Sequence, residues 1–225
     1  EREFIHDYND LPAVREFART VDVVTYEFEN VPAATADFLA GRKPVRPGPT
    51  ALAVTQDRLS EKTFLRQAGL PLADFAAIDS LRDLDEALTR LGLPAVLKTR
   101  RMGYDGKGQV MIRAREEAPQ ALAQLGGGDC VLEAFVPFLR EVSVIAARAL
   151  DGTVRAFDVC ENRHRHHILS QTVLPAHLTP SKAAKALAYA ATIAEKLAYV
   201  GVFTVELFVV GENDQETVLV NEIAP

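Results

Sequence analysis

The stretch Lys98-Thr99-Arg100-Arg101-Met102-Gly103-Tyr104-Asp105-Gly106-Lys107-Gly108-Gln109 gathers the residue types best suited to hold a polyanion. Glycines let backbone N–H groups come close to phosphate oxygens, and Lys98 and Lys107 add point charge. The apolar run 95–97 delivers Lys98 into this turn, as a buried strand feeding a flexible flap would. The spacing is not that of a Walker loop, which needs Gly-Lys-Ser/Thr ahead of a helix, nor that of a dinucleotide-binding turn. Glycine content alone fits a solvent-exposed hairpin turn equally well; the strand ending in Lys98 favours a flap over a nucleotide's phosphates.

Two acids lie inside apolar strands: Glu206 in Val202-Phe203-Thr204-Val205-Glu206-Leu207-Phe208, and Glu222 in Val218-Leu219-Val220-Asn221-Glu222-Ile223-Ala224. Folding these strands back on each other about Asp214 brings Glu206 within about one residue of direct opposition to Asn221 and Glu222. Buried carboxylates are costly unless paired or bound to a cation, and an oxygen-rich cluster beside phosphates is what Mg²⁺ requires. The competing reading is that each acid points to the solvent face of a half-exposed strand.

Glu133 and Glu141 fall at a seam between two modules, where ligands gather. Either can accept from ribose hydroxyls; a surface ion pair with Arg140 is the alternative. Asn162-Arg163-His164-Arg165-His166-His167 is the only histidine cluster. Strand alternation puts His164 and His166 on one face and His167 on the other, which disfavours a three-histidine metal site and leaves His164 as a candidate ligand contact. Cys130 and Cys160 have no metal-ligand spacing and are expected to be reduced core residues.

The elements that must position these groups read as follows. A helix over 12–19 precedes a buried strand over 21–26, whose polar exit, Glu27-Phe28-Glu29-Asn30-Val31-Pro32, is either a site wall or a helix-capping loop. Asp57 caps a helix carrying Leu59, Phe64, Leu65 and Ala68 that stops at Gly69. Ser80 and Asp83 form a capping box ahead of Leu81, Leu84, Leu88 and Leu91. Strands are expected over 95–99, 109–112 and 130–133, with a helix over 116–125. A second sheet begins with a hairpin, 140–150 turning at Asp151-Gly152 into 153–160. A helix from Thr179-Pro180 keeps Ala183, Leu187, Ala190, Ala194 and Leu197 on one face, and a last hairpin pairs 202–210 with 217–223. The class is α+β, following the tail of an α/β unit.

With 225 residues, 48% hydrophobic, the chain can bury a sizeable core. Its net charge of -6 argues against general nucleic-acid affinity. No apolar run reaches the roughly 20 residues of a membrane span, and a cytoplasmic protein is expected. The start at Glu1 and the end at Pro225, just after an apolar strand-like run, lead us to expect further sequence at both ends.

Five segments, Glu27 to Pro32, Gln56-Asp57-Arg58 with Lys62, Lys98 to Gln109, Glu161-Asn162 with His164, and Asn221-Glu222-Ile223-Ala224-Pro225, occur in the order of motifs of the N5-carboxyaminoimidazole ribonucleotide synthases. The chain resembles these ligases of the ATP-grasp superfamily over nearly its whole length. The resemblance implies the remnant of a Rossmann-like preATP-grasp domain over 1–55, a small ATP-grasp subdomain with the flap over 56–135, and a large subdomain over 136–225, cut short at its C-terminal end. ATP would lie between the two subdomains. By position, Arg58, Lys98, Glu133, Glu141, His164 and Asn221 look like nucleotide contacts, with Val136 following the adenine. Gly103, Gly106, Lys107, Gly108 and Gln109 look like the flap, Glu206 and Glu222 like Mg²⁺ ligands, and Tyr104 and Asp105, with Lys107, like catalytic groups facing bicarbonate and 5-aminoimidazole ribonucleotide.

The implied reaction phosphorylates bicarbonate with ATP and carboxylates the aminoimidazole amine, in a homodimer. Other ATP-grasp ligases, such as the formate-using transformylase or biotin carboxylase, or a non-catalytic nucleotide-binding module, are the alternatives. Met102 and His167 stand where glycines are common in the family; Met102 is expected to stiffen or partly cover the flap. The family's acceptor-site segment beyond Pro225 lies outside this sequence.

Overall fold

The computed structural model describes residues 2–103, 107–165, 168–211 and 215–225. Tyr104, Asp105, Gly106, His166 and His167, with the turn about Asp214, lie outside the described residues.

At the N-terminal end, α1 (Leu11–Arg19) and α2 (Ala33–Ala40) close a small core of Val14, Ala18, Val24, Leu39 and Val45. The strand expected over 21–26 does not form: only Val24 pairs, with Val45, in parallel. Pro44 and Pro47 flank that partner and lack the N–H groups a longer ladder would need.

Helix α3 (Pro49–Thr55) leads into α4 (Arg58–Gln67), whose N-cap Asp57 accepts from the N–H groups of Leu59 at 3.0 Å and Ser60 at 3.1 Å. Its far end is a Schellman motif: Gly69 takes φ 76°, and Leu70 N–H donates to Leu65 O.

A four-stranded antiparallel sheet follows, in the order β1 (Phe75–Ile78), β4 (Cys130–Ala134), β2 (Ala95–Thr99), β3 (Gln109–Ile112). Helix α5 (Leu81–Leu91), started by the Ser80/Asp83 capping box, and α6 (Ala118–Gln124) cover one face. The segment expected as one helix over 116–125 begins instead as a 3-10 turn over Arg115–Glu117. The core alternates along each strand: Ala95, Leu97, Ile112, Cys130 and Leu132 turn toward the helices. Val96, Lys98, Gln109, Met111 and Glu133 therefore share the other face, since Val96 opposes both Met111 and Glu133, and Lys98 opposes Gln109.

The second, six-stranded sheet runs β10 (Thr217–Ala224), β9 (Gly201–Val210), β5 (Arg140–Arg148), β7 (Cys160–Arg165), β8 (Ile168–Val173), with β6 (Val154–Ala156) also on β5. The strand expected over 153–160 is thus two: β6 pairs residues 146–148, and β7 pairs residues 141–143. Between them the carbonyl of Val159 turns away to accept from Ala176. Strand β8 had no distinct signal in the sequence, being exposed along most of its length. Helix α7 (Pro180–Lys196) packs Ala186, Ala190, Ile193 and Ala194 onto Val144, Phe203, Val205 and Val220. Of the expected stripe, Ala190, Ala194 and Leu197 are buried, while Ala183 and Leu187 pack at the margin of the core. Leu65 of α4 and Leu70 enter this same core, so α4 is anchored in the large sheet while its first turn faces the small one.

Candidate nucleotide and metal site

The open faces of the two sheets line one cavity of about 780 Å³. Of the candidate residues, Arg58, Lys98, Gly103, Lys107, Gln109, Glu133, Val136, Glu141, His164, Glu206, Asn221 and Glu222 all line it. Gly108 does not line it. It sits at the flap root with φ 69°, where a Cβ would come within 2.5 Å of Thr99 Oγ1. Met102 lines the cavity, 67% exposed and at φ 60°, a conformation that favours glycine.

The acidic wall depends on a bulge. Along β10, Val218 and Val220 oppose Val209 and Leu207 and point into the α7 core. Strict alternation would then send Asn221 to the cleft and Glu222 into the core. The register shifts between Val220 and Glu222, so that Glu222 opposes Glu206 and Ile223 returns to the core beside Val205. Both carboxylates thereby share the cleft face. Burial, then the neighbouring Glu222, then Glu141 push the Glu206 carboxyl up to about 7.

Helix α4 supports that bulge from outside. Ile223 N–H donates to Glu61 Oε1 at 2.7 Å, and Lys62 Nζ donates to Asn221 O at 3.3 Å. Glu61 is buried, and burial followed by Glu222 pushes its carboxyl up to about 8. Sequence reasoning missed Glu61; its signal was an acid at the first turn of an otherwise apolar helix face, one residue before the cationic Lys62.

On the basic wall, Glu133 lies between two ammonium groups, Lys62 Nζ at 3.0 Å and Lys98 Nζ at 3.1 Å. Burial acts to raise its pKa, but Lys98 and Lys62 outweigh it and hold the carboxyl at about 2. The two lysines meet different oxygens of that carboxylate, Lys62 at Oε2 and Lys98 at Oε1. The expected alternative, Arg140 as an ion-pair partner for these acids, gives way: Arg140 pairs with Glu216, and Glu141 Oε2 meets His164 Nδ1 at 2.7 Å.

Arg58 braces the flap. Its guanidinium donates to Thr99 O at 3.0 Å and Gly103 O at 3.1 Å, and its backbone N–H donates to Arg100 O. Asp57 is held ionised despite burial by Arg100, whose NH2 group lies 2.7 Å away. The segment 27–32 also meets the site: Glu29 and Asn30 line the cavity, and Gln56 Nε2 donates to Glu29 O at 2.6 Å. Phe138 and Phe208, stacked with ring centroids 4.6 Å apart, line the apolar end with Val96 and Met111.

Among the described residues no group of three or more His, Cys, Asp or Glu is arranged to hold a metal by itself. Two carboxylates from adjacent strands still fit Mg²⁺, which takes oxygen donors and completes its shell with water and phosphate. The upward shift of Glu206 marks a place where a cation would relieve like-charge repulsion.

An ATP-grasp domain model matches residues 63–225, and a ribonucleotide synthetase preATP-grasp domain model matches residues 1–56. The chain is 43% identical over 226 residues to the N5-carboxyaminoimidazole ribonucleotide synthase of Brucella melitensis, covering 100% of this chain and 62% of that protein. The structure is similar to the N5-carboxyaminoimidazole ribonucleotide synthetase of Thermus thermophilus, with TM-score 0.91, 46% identity, and 99% and 59% of the two chains covered. An ADP complex of a synthetase of the same name gives TM-score 0.91 at 38% identity, with 98% and 58% covered. The chain thus spans about three-fifths of the length of these relatives. With a family model matching well over half of its residues, on a cleft between two antiparallel sheets, this chain belongs to the ATP-grasp family.

Proposed function

We propose that this chain is the nucleotide-binding part of an N5-carboxyaminoimidazole ribonucleotide synthase, which uses ATP and bicarbonate to carboxylate the amine of 5-aminoimidazole ribonucleotide. The observation that carries this reading is one cavity lined by Lys98 and Lys107 at the flap and by the opposed pair Glu206 and Glu222. The names of the relatives support the choice of substrates. The division into 1–55, 56–135 and 136–225, the homodimer and the cytoplasmic location belong to the same proposal; among the described residues no helix is long and apolar enough to cross a membrane.

In this reading ATP lies between the sheets, its base at the apolar end with Phe138, Val136 and Phe208 and its phosphates toward Lys98 and Lys107. Glu133 Oε1, 3.1 Å from Lys98 Nζ, would accept from a nucleotide N–H or O–H once Lys98 turns to the phosphates. Glu206 and Glu222 would hold Mg²⁺, which supplies charge neutralisation at the phosphates. The γ-phosphoryl group passes to a bicarbonate oxygen, giving carboxyphosphate and ADP. The amine nitrogen then bonds to the carboxyl carbon, phosphate leaves and the amine loses a proton. The chain's task is to place the reactants and, through the flap, to exclude water from the acyl phosphate. Tyr104 and Asp105 are proposed to face bicarbonate and the amine.

The test is bicarbonate-dependent ADP release by the protein that carries this chain, with and without 5-aminoimidazole ribonucleotide. Stimulation by that amine is expected. Turnover that ignores it, or that requires biotin or formate, would overturn the assignment.

A further inference from the structure

Glu133 has two lysines, and neutrality needs one. Lys62 is 2% exposed and does not line the cavity; it lies behind the wall, held by Glu133 Oε2 at 3.0 Å and Asn221 O at 3.3 Å. Lys98 does line the cavity, its side chain 14% exposed, and lies 3.1 Å from Oε1. Both ammonium groups are within charge contact of one carboxylate, so Glu133 leaves one positive charge in surplus; Glu61, the other acid whose field reaches Lys62, is turned to the Ile223 N–H. Only Lys98 can carry that surplus toward a ligand.

We propose that Lys62 is a positioning residue: as the permanent counter-ion of Glu133, it releases Lys98 to meet an incoming phosphate. This rests on the nucleotide reading of the cavity and adds a role for a residue that touches no ligand. Without Lys62, Lys98 becomes the sole counter-ion of a buried carboxylate, and leaving it would strand an uncompensated charge. Nucleotide phosphate would then compete with Glu133 for one lysine. With Lys62 present, withdrawal of Lys98 leaves a neutral Lys62–Glu133 pair behind.

The experiment is a calorimetric titration of the 225-residue chain with ADP and MgCl2. Lys62→Met should weaken ADP at least tenfold, and Lys62→Arg, which keeps the charge, should stay within about threefold of the unsubstituted chain. Adding Glu133→Gln to Lys62→Met keeps a side-chain oxygen that can accept from the nucleotide but removes the charge, and should then strengthen ADP binding, because the trap for Lys98 is gone. If Lys62 merely supports the fold, the second substitution weakens binding further, which overturns the proposal. Should Lys62→Met fail to fold, Lys62→Gln makes the same charge change with a polar head, and the same reversal of sign is required of it. Failure of the unsubstituted chain to bind ADP would instead refute the nucleotide reading itself.

Discussion

Replacing Glu206 by glutamine should make the metal-free protein more stable while removing a proposed Mg²⁺ ligand. The carboxyl sits in the cleft opposite Glu222, and burial with that neighbour moves it from 4.5 to about 7. A folded-state value above the unfolded one means that the folded protein holds the proton more tightly. The group's favourable contribution is therefore complete below 4.5 and is lost as pH rises through about 7. Once it is ionised, the cost is about 3 kcal/mol at the ceiling. Glutamine keeps the shape and removes the charge. At pH 8, with EDTA present, Glu206→Gln should raise the melting temperature by about 6–12 °C, given about 2–4 °C per kcal/mol for a chain of this size. At pH 4.5 the two proteins should melt within about 2 °C of each other. With Mg²⁺ and ADP the order should reverse, because only the unsubstituted protein gains a bridging cation. Thermal unfolding followed by circular dichroism across this pH range decides the matter. An unchanged or lower melting temperature for the variant at pH 8, or an equal gain at both pH values, would show that the two carboxylates do not repel each other in the folded state.

Glu61→Ala should cost about 1–3 kcal/mol by leaving the Ile223 N–H without its acceptor, and should raise the Mg²⁺ concentration needed for ADP binding, since the bulge that aims Glu222 loses its brace. Glu61→Gln keeps an acceptor oxygen and should be nearly neutral at pH 7; paired titrations of the two variants check this. Gly103→Ala places a Cβ 2.5 Å from Arg58 NH1, so the guanidinium must leave Thr99 O and Gly103 O. ADP affinity should fall about tenfold or more, read by calorimetry, with a change in melting temperature of only a few degrees. Glu133 is depressed to about 2, so its contribution to stability is complete above the unfolded value of 4.5 and is lost as pH falls toward 2. Glu133→Gln should cost about 3–5 kcal/mol at pH 7 in urea unfolding, and that difference should shrink below pH 4.

The sequence signals that proved informative were local. Ser80 with Asp83, Asp57 ahead of α4, and Gly69 at its end state their roles through hydrogen bonds closed within a few residues. Opposition of Glu206 to the 221–222 pair was readable to within one residue, because hairpin register follows from the turn. Which of Asn221 and Glu222 faces the cleft was not, because the answer is a bulge held by side chains of α4 about 160 residues earlier in the chain. The same limit applies to the 21–26 segment: its composition suits a strand, but the partner at Val45 is hemmed in by prolines. Strand β8 was invisible for a related reason, since an exposed strand carries no apolar alternation.

That long-range dependence gives helix α4 its place in the site. Within seven residues, Gln56 holds the 29–31 backbone, Asp57 and Arg58 hold the flap root, Glu61 holds β10, and Lys62 joins β10 to Glu133 on β4. The start of α4 and the two residues before it thus meet the 29–31 segment, the flap root, β10 and β4. The helix is in turn fixed by Leu65 to the core of the large sheet. Movement of the small sheet must therefore be resisted at Asp57, Arg58 and Lys62. The basic residues proposed to meet phosphate thus include one set by the helix, Arg58, and one carried on the flap, Lys107. The acids opposite them are set by a strand edge that the same helix holds. A substitution that loosens α4 should consequently disturb phosphate and metal binding together, whereas one in the flap should disturb the first and spare the second.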